Sequence, residues 1–274
     1  VISLEQNPGE ASERAAGTVI EAIGPVRALV GEAPVWDGER LLWVDVRSGH
    51  VHRTDLASGH TGTETVGPPV SFVWPTSGGT LVAHGFDLLL DGRTVATVPA
   101  GPGEERCNDG VVDDAGRIWI GTMGAPGVAR LYRVDPGGEP VPVLDGLTVS
   151  NGSRFSPDGT RLHLVDTPTG RVDVLDVDPS GALSGRRVFT EIAGPGKPDG
   201  IAVDDDGLVW VAVWNGGVLL AHTPDGVLAE RVELPVRYPT SCAFVGKRLL
   251  VTTASRPLGD QAGPLDGALL EVVR

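Results

Sequence analysis

Cysteine is nearly missing from this chain: Cys107 and Cys242 are the only two in 274 residues, far apart and outside any C-x-x-C. That speaks against a disulfide framework and a zinc knuckle, and it suits a reducing cytoplasm. Positive charge is scarce too, with 22 Lys plus Arg against 36 Asp plus Glu and a net charge of −14. A surface of that sign repels phosphate backbones and anionic lipid, so nucleic acid is a poor partner. Nothing approaches the ~18 consecutive apolar residues of a membrane span, and the opening V-I-S-L-E-Q-N-P lacks a basic segment followed by an apolar one. A soluble, unexported protein with no membrane partner is expected. Long helical stripes of the i, i+3, i+4, i+7 kind are absent as well.

Backbone punctuation is abundant instead. The chain holds 39 Gly and 22 Pro, roughly 22% of its residues against a usual ~12%. This argues against a helical bundle, while 41% apolar residues are enough to bury a core. Residues 1–16 are polar and without period and are expected to form a flexible leader, leaving 17–274 as a single domain.

One phrase recurs, an Asp- or Gly-type turn followed by a short strand of Val, Leu, Ile and Trp. Its six copies are D-G-E-R-L-L-W-V-D-V (37–46), S-G-G-T-L-V-A-H-G (77–85), D-A-G-R-I-W-I-G-T (114–122), D-G-T-R-L-H-L-V-D (158–166), D-G-L-V-W-V-A-V (206–213) and G-K-R-L-L-V-T-T (246–253). Anchored on Trp43, Val82, Trp119, His163, Trp210 and Leu250, the spacings are 39, 37, 44, 47 and 40, the length of a four-stranded propeller blade. The fold expected is an all-β, six-bladed β-propeller. The segments 18–23 and 268–273 are both strand-like, and placing them in one blade would close the ring and remove exposed sheet edges.

In a propeller, residues at one register position of every repeat face a central channel. Eleven residues before the anchors stand Glu32, Ser71, Asn108 and Asp199; the fourth repeat offers Asn151 at twelve, the sixth Pro239 at eleven or Thr240 at ten. Most sit in tight turns, G-E-A-P (31–34), C-N-D-G (107–110), S-N-G-S (150–153) and P-D-G-I (198–201). Any one such pair is ordinary turn chemistry. Their shared layer argues for more, because two carboxylates in a narrow channel repel each other unless a cation or proton compensates them. Two carboxylates and two amides form a hard oxygen donor set that suits Ca2+ first, Mg2+ or Mn2+ next and Zn2+ last. Asp109 and Asp204–Asp206 are expected beside this layer, in loops.

These phrases resemble the gluconolactonase and regucalcin family, also called the senescence marker protein and luciferin-regenerating enzyme family. The resemblance runs from about residue 24 to nearly the end, through G-E-A-P-V-W with L-L-W-V-D-V (31–46), R-C-N-D-G with D-A-G-R-I-W-I-G-T-M (106–123), S-N-G with F-S-P-D-G (150–159), K-P-D-G-I-A-V-D (197–204) with W-V-A-V-W-N-G-G (210–217), and P-T-S-C-A-F (239–244). It implies a six-bladed propeller, one divalent cation at the channel, and hydrolysis of a sugar lactone or related small lactone. Carried over by motif, the metal ligands are Glu32, Asn151 and Asp199, with Arg106 and Asn108 facing substrate. Asp199 is then the candidate base that takes a proton from the attacking water. One departure stands out. Family members that bind sugar lactones carry an acidic residue shortly after G-T-M, whereas here the run is G-T-M-G-A-P-G-V (121–128).

Other groups have plainer expectations. Asp45 and Asp166 are expected as buried hydrogen-bond anchors, His84 and His163 as hydrogen-bonded core or wall residues, and both cysteines as small buried thiols. Phe72, Trp74, Trp214 and Tyr238 either line an apolar mouth or fill the space between blades. Serines 71, 150, 153 and 241 lack a G-x-S-x-G setting, which speaks against a serine nucleophile. The rival functions are a metal-dependent phosphotriesterase or other esterase, a non-catalytic calcium-binding propeller, and a pathway-specific lyase or cyclase. Monomer and small homo-oligomer both remain open.

Overall fold

The computed structural model describes residues 19–273; the expected leader lies outside them. Six four-stranded antiparallel sheets surround a channel. Their innermost strands are Gly31–Trp36, Val70–Thr76, Glu104–Val112, Ser150–Phe155, Lys197–Val203 and Pro239–Val245. Each touches the innermost strand of the next blade, and the sixth touches the first, so the ring is closed. No α-helix occurs among the described residues, only two 3-10 turns at Thr167–Thr169 and Gly259–Gln261.

Blades one to five each use consecutive strands, whereas blade six is completed from the other end of the chain. Val19–Ala22 lies outside Leu270–Val273, with Val19 opposite Val273 and Ala22 opposite Leu270. The ends therefore meet in one blade, as expected. This pairing occupies a sheet edge that an open array would expose.

The six anchor positions are all buried between blades. Trp43, Trp119 and Trp210 are fully enclosed, and their indole N–H groups donate to Thr54, Asp113 and Asp204. A Trp buries roughly 150–250 Å2, so each contributes about 4–6 kcal/mol as an upper bound at ~25 cal/mol per Å2. Asp113 and Asp204 also cap their own turns by accepting backbone N–H groups from Ala115 and Arg117, and from Asp206 and Leu208. The recurrent Asp thus serves turn and core together, at the channel end opposite the polar layer.

Candidate functional site

Every innermost strand slips its register where the sequence places the polar layer. The slips fall between Glu32 and Val35, Val70 and Phe72, Cys107 and Gly110, Ser150 and Ser153, Pro198 and Ile201, and Pro239 and Ser241. A bulge releases residues from the ladder and re-aims their side chains. Asn108 and Asp109, Asn151 and Gly152, and Asp199 and Gly200 are the released pairs of blades three, four and five. A Cβ on Gly152 would strike the Asp199 backbone, and one on Gly200 would strike Ser241, so these glycines let neighbouring blades close in. In blade one the equivalent strain falls on Ala33, a non-glycine residue at φ 49°.

Four members of the predicted layer converge. Asn151 and Asp199 are buried, with the Asn151 amide donating to Asp199 Oδ1 across the blade boundary. The same amide nitrogen lies 3.1 Å from Thr167 Oγ1. Glu32 is half-buried, its Oε2 accepting the Ala33 N–H at 3.1 Å. Asn108 donates to Ser150 O at 3.0 Å and accepts from Arg106 Nη1 at 2.8 Å; that nitrogen also donates to Cys107 O. Arg106, Asn108 and Ser150 thus link blade three to blade four, and Asn151 links blade four to blade five. The other two layer members turn away: Ser71 donates to Cys107 O, and Thr240 to Gly31 O, each securing the next blade.

Asp109 corrects the expectation that it falls beside the layer in a loop. It lies within Glu104–Val112, is 4% exposed, and its Oδ2 has no hydrogen-bond partner. The signal was present in the repeat, since the position filled by Gly152 and Gly200 in blades four and five carries a carboxylate here. Its neighbours are the N–H groups of Gly110 and Ser153 and the charge of Arg154. Arg154 donates to Gly110 O and Ser153 O and lies over the Trp74 ring at 5.8 Å.

Three carboxylates therefore share one desolvated end of the channel. Burial, then the charges of Asp199 and Asp109, pushes the Glu32 carboxyl well above the usual carboxylate range, against the pull of the Ala33 N–H and Arg106. Burial and then Asp109 push Asp199 up in the same way, opposed by Asn151 and Arg106. Asp109 is raised mainly by burial, with Arg154 opposing. Such a set holds protons or a cation. No group of three His, Cys, Asp or Glu side chains arranged to hold a metal occurs among the described residues. The donors brought together are of mixed type, carboxylate and amide oxygens with one orphaned carboxylate oxygen, and they fit a hard cation.

The plainer expectations divide. Asp45 accepts the N–H groups of Leu29 and Val30 and the Ser48 hydroxyl, and Asp166 accepts those of Thr148 and Val149, so both are anchors. Both cysteines are buried, and burial pushes each thiol up to about 12. His163 is buried, opposite Arg154 across the ladder, and its ring packs edge-on against Phe189. Phe72 and Trp74 stack within blade two and pack into the apolar cores. Trp214 and Tyr238 pair at 4.9 Å beside the site, where Trp214 faces Lys197 at the start of an innermost strand. Two surface hollows of about 430 and 650 Å3 lie around Asp113 and around Asp204–Asp206, at the far end of the channel.

The chain matches the model of the SMP-30/Gluconolactonase/LRE-like region over residues 30–255. It is 35% identical over 245 residues to a 6-deoxy-6-sulfogluconolactonase of Pseudomonas putida, covering 84% of each chain. A pentonolactonase of Haloferax volcanii is 35% identical over 251 residues, covering 86% of each. Among solved structures, a calcium-binding protein, regucalcin, from Agrobacterium tumefaciens str. C58 superposes with a TM-score of 0.83 at 29% identity, over 94% of this chain and 93% of that one. The bulged channel layer and these matches together place the chain in the SMP-30/gluconolactonase/LRE-like family.

Proposed function

We propose that this chain is a divalent-cation-dependent lactonase acting on a sugar lactone or related small lactone. The observation that carries this reading is the convergence of Glu32, Asn151 and Asp199 beside Arg106 and Asn108 at one channel end, in a chain whose relatives include named lactonases. Glu32, Asn151 and Asp199 would hold the cation, with Ca2+ favoured by the oxygen donors and by the calcium-binding structural relative. When bound, the ion supplies Lewis acidity toward a carbonyl oxygen and eases deprotonation of a water.

The protein's own groups account for the rest. Asp199 takes the proton of the attacking water. Asn151, fixed by Thr167, orients that carboxylate. Water oxygen adds to the lactone carbonyl carbon, the ring C–O bond breaks, and the proton passes to the departing ring oxygen, giving a hydroxy acid. Arg106 and Asn108 hold substrate oxygens, and the guanidinium can also oppose negative charge on the carbonyl oxygen. The test is a pH-indicator assay on lactones from gluconolactone to small apolar rings, with chelator and then with Ca2+, Mg2+, Mn2+ or Zn2+ restored. Turnover restored by metal supports the reading; silence from folded, metal-binding protein refutes it.

A further inference from the structure

The core uses almost every aromatic ring of the chain. Trp36, Trp43, Trp74, Trp119 and Trp210, the phenylalanines and Tyr132 all belong to the apolar clusters between blades or pack against them. Trp214 and Tyr238 do neither. Both are half-buried, and their rings meet at 4.9 Å with 56° between the planes, where the connection from blade five to blade six crosses the site end of the channel. Neither the indole N–H nor the phenol hydroxyl has a hydrogen-bond partner among the described residues.

The ladder fixes where this pair stands. In each blade the residue just before the polar layer pairs with a residue of the second strand, and the next residue along that strand reaches the mouth. These next residues are Val46, Gly85, Met123, Thr167, Trp214 and Ala254 in blades one to six. Thr167 shows that the position touches the site, since its Oγ1 lies 3.1 Å from the Asn151 amide. Trp214 stands in the same relation to Asp199 and carries the one aromatic ring of the set. Across the ring, blade two offers Gly85, where a Cβ would meet nothing within 4 Å. An aromatic wall therefore occupies one side of the mouth and open space the other.

The wall is built rigidly. Arg237 donates from Nε to Asn215 Oδ1 at 2.6 Å, and its guanidinium lies over the Tyr238 ring at 5.6 Å. Asn215 holds φ 60° in the turn that follows Trp214, and the Gly217 N–H of that turn donates to Arg237 O. A Cβ on Gly196 would strike Trp214 O, so the connection from blade four closes against the back of the same turn. Rings fixed in advance lose little freedom when a ligand settles on them.

We propose that Trp214, braced by Tyr238 and Arg237, is a specificity-determining residue: a hydroxylated lactone ring lies with a C–H face on the indole, and its hydroxyls take up the free indole N–H and phenol O–H. Arg106 and Asn108 hold its other oxygens from blade three. The electron-rich ring face attracts C–H hydrogens polarised by neighbouring oxygens, while the polar tips of Trp and Tyr serve the hydroxyls at the ring's edge. The ring-opening half of the statement rests on the lactonase reading above; ring binding does not.

The test uses calcium-loaded wild type, Trp214→Leu, which keeps apolar bulk without a flat face, and Trp214→Phe, which keeps the face. Each is assayed on D-glucono-1,5-lactone. Saturation-transfer NMR follows D-glucono-1,5-lactam, which has the same hydroxylated ring and an amide in place of the ester. Trp214→Leu is expected to raise KM about fivefold or more with kcat little changed, and Trp214→Phe to recover most of the loss. Transfer to the lactam should be strongest at the hydrogens of one ring face in wild type and lose that bias in Trp214→Leu. A KM unmoved by Trp214→Leu, or a transfer pattern the same in both proteins, overturns the proposal. So does a loss of Tm in Trp214→Leu that rises and falls with KM, because that marks a packing residue. Absence of turnover in wild type refutes the hydrolase reading alone, and the lactam pattern then decides the wall by itself.

Discussion

Asn151 of blade four donates its side-chain N–H to the carboxylate of Asp199 in blade five, and both side chains are buried where their strands bulge. This contact joins the two halves of the proposed cation site across the blade boundary. It also fixes what an isosteric substitution does. Asp199→Asn keeps volume and one acceptor oxygen but removes a charge, so Ca2+ affinity is expected to fall at least tenfold and metal-dependent turnover to disappear. Calorimetric titration with Ca2+ beside the lactone assay checks this; wild-type affinity in the variant would remove Asp199 from the ligand set.

A cation that binds only the folded chain stabilises it. Three desolvated carboxylates whose ionised forms disfavour one another make that linkage strong here. At a free-ion concentration one hundred times the dissociation constant, the gain is about 2.7 kcal/mol, or roughly 5–10 °C in Tm for a domain of this size. Thermal melts in chelator and then in Ca2+, Mg2+ or Mn2+ read the shift directly. A Tm indifferent to every divalent ion at millimolar concentration would exclude a cation bound tightly enough to matter.

Asp109 has opposite consequences in the two states. Asp109→Asn retains an oxygen for the Gly110 and Ser153 N–H groups while removing one of three like charges. The metal-free protein should therefore melt at a higher temperature than wild type, and the Ca2+ affinity should fall about tenfold, because the ion loses a nearby negative charge. Melts and titrations on the same preparation test both signs. A lower metal-free Tm would instead mean that Asp109 serves chiefly as a counter-charge to Arg154.

The blades were legible because their turns and cores use the same residues each time. Trp43, Trp119 and Trp210 recur with a donor partner, and the Asp before two of them caps the turn that starts the strand. Register counting pointed to Glu32, Asn108, Asn151 and Asp199 for the same reason: each lies eleven residues before its anchor, or twelve in blade four. It could not say where a side chain points once the ladder slips. A bulge frees two residues in blades three, four and five but only one in blades two and six. Asp109 was therefore hidden as the second residue of such a pair, and Ser71 and Thr240 occupy the layer yet turn onto the backbone of the next blade.

Acid stability reads out the buried histidines. His163 is 4% exposed, and burial, against the pull of the Arg154 backbone, holds its pKa down to about 4, compared with 6.5 when solvated. Between those values the unfolded chain binds a proton that the folded chain refuses. Stability from this group is thus complete above pH 6.5 and is lost as pH falls toward 4, by about 3 kcal/mol in all. His52 is held down to about 4 in the same way, and His222 is also lowered, so the effect is shared. His163→Leu keeps an apolar contact with Phe189 and removes the proton site. Its Tm should fall less steeply than that of wild type between pH 7 and pH 5, without becoming flat. Parallel Tm–pH curves for the two proteins would show that the ring is already protonated in the fold, and that the carboxylates of the channel set the acid limit instead.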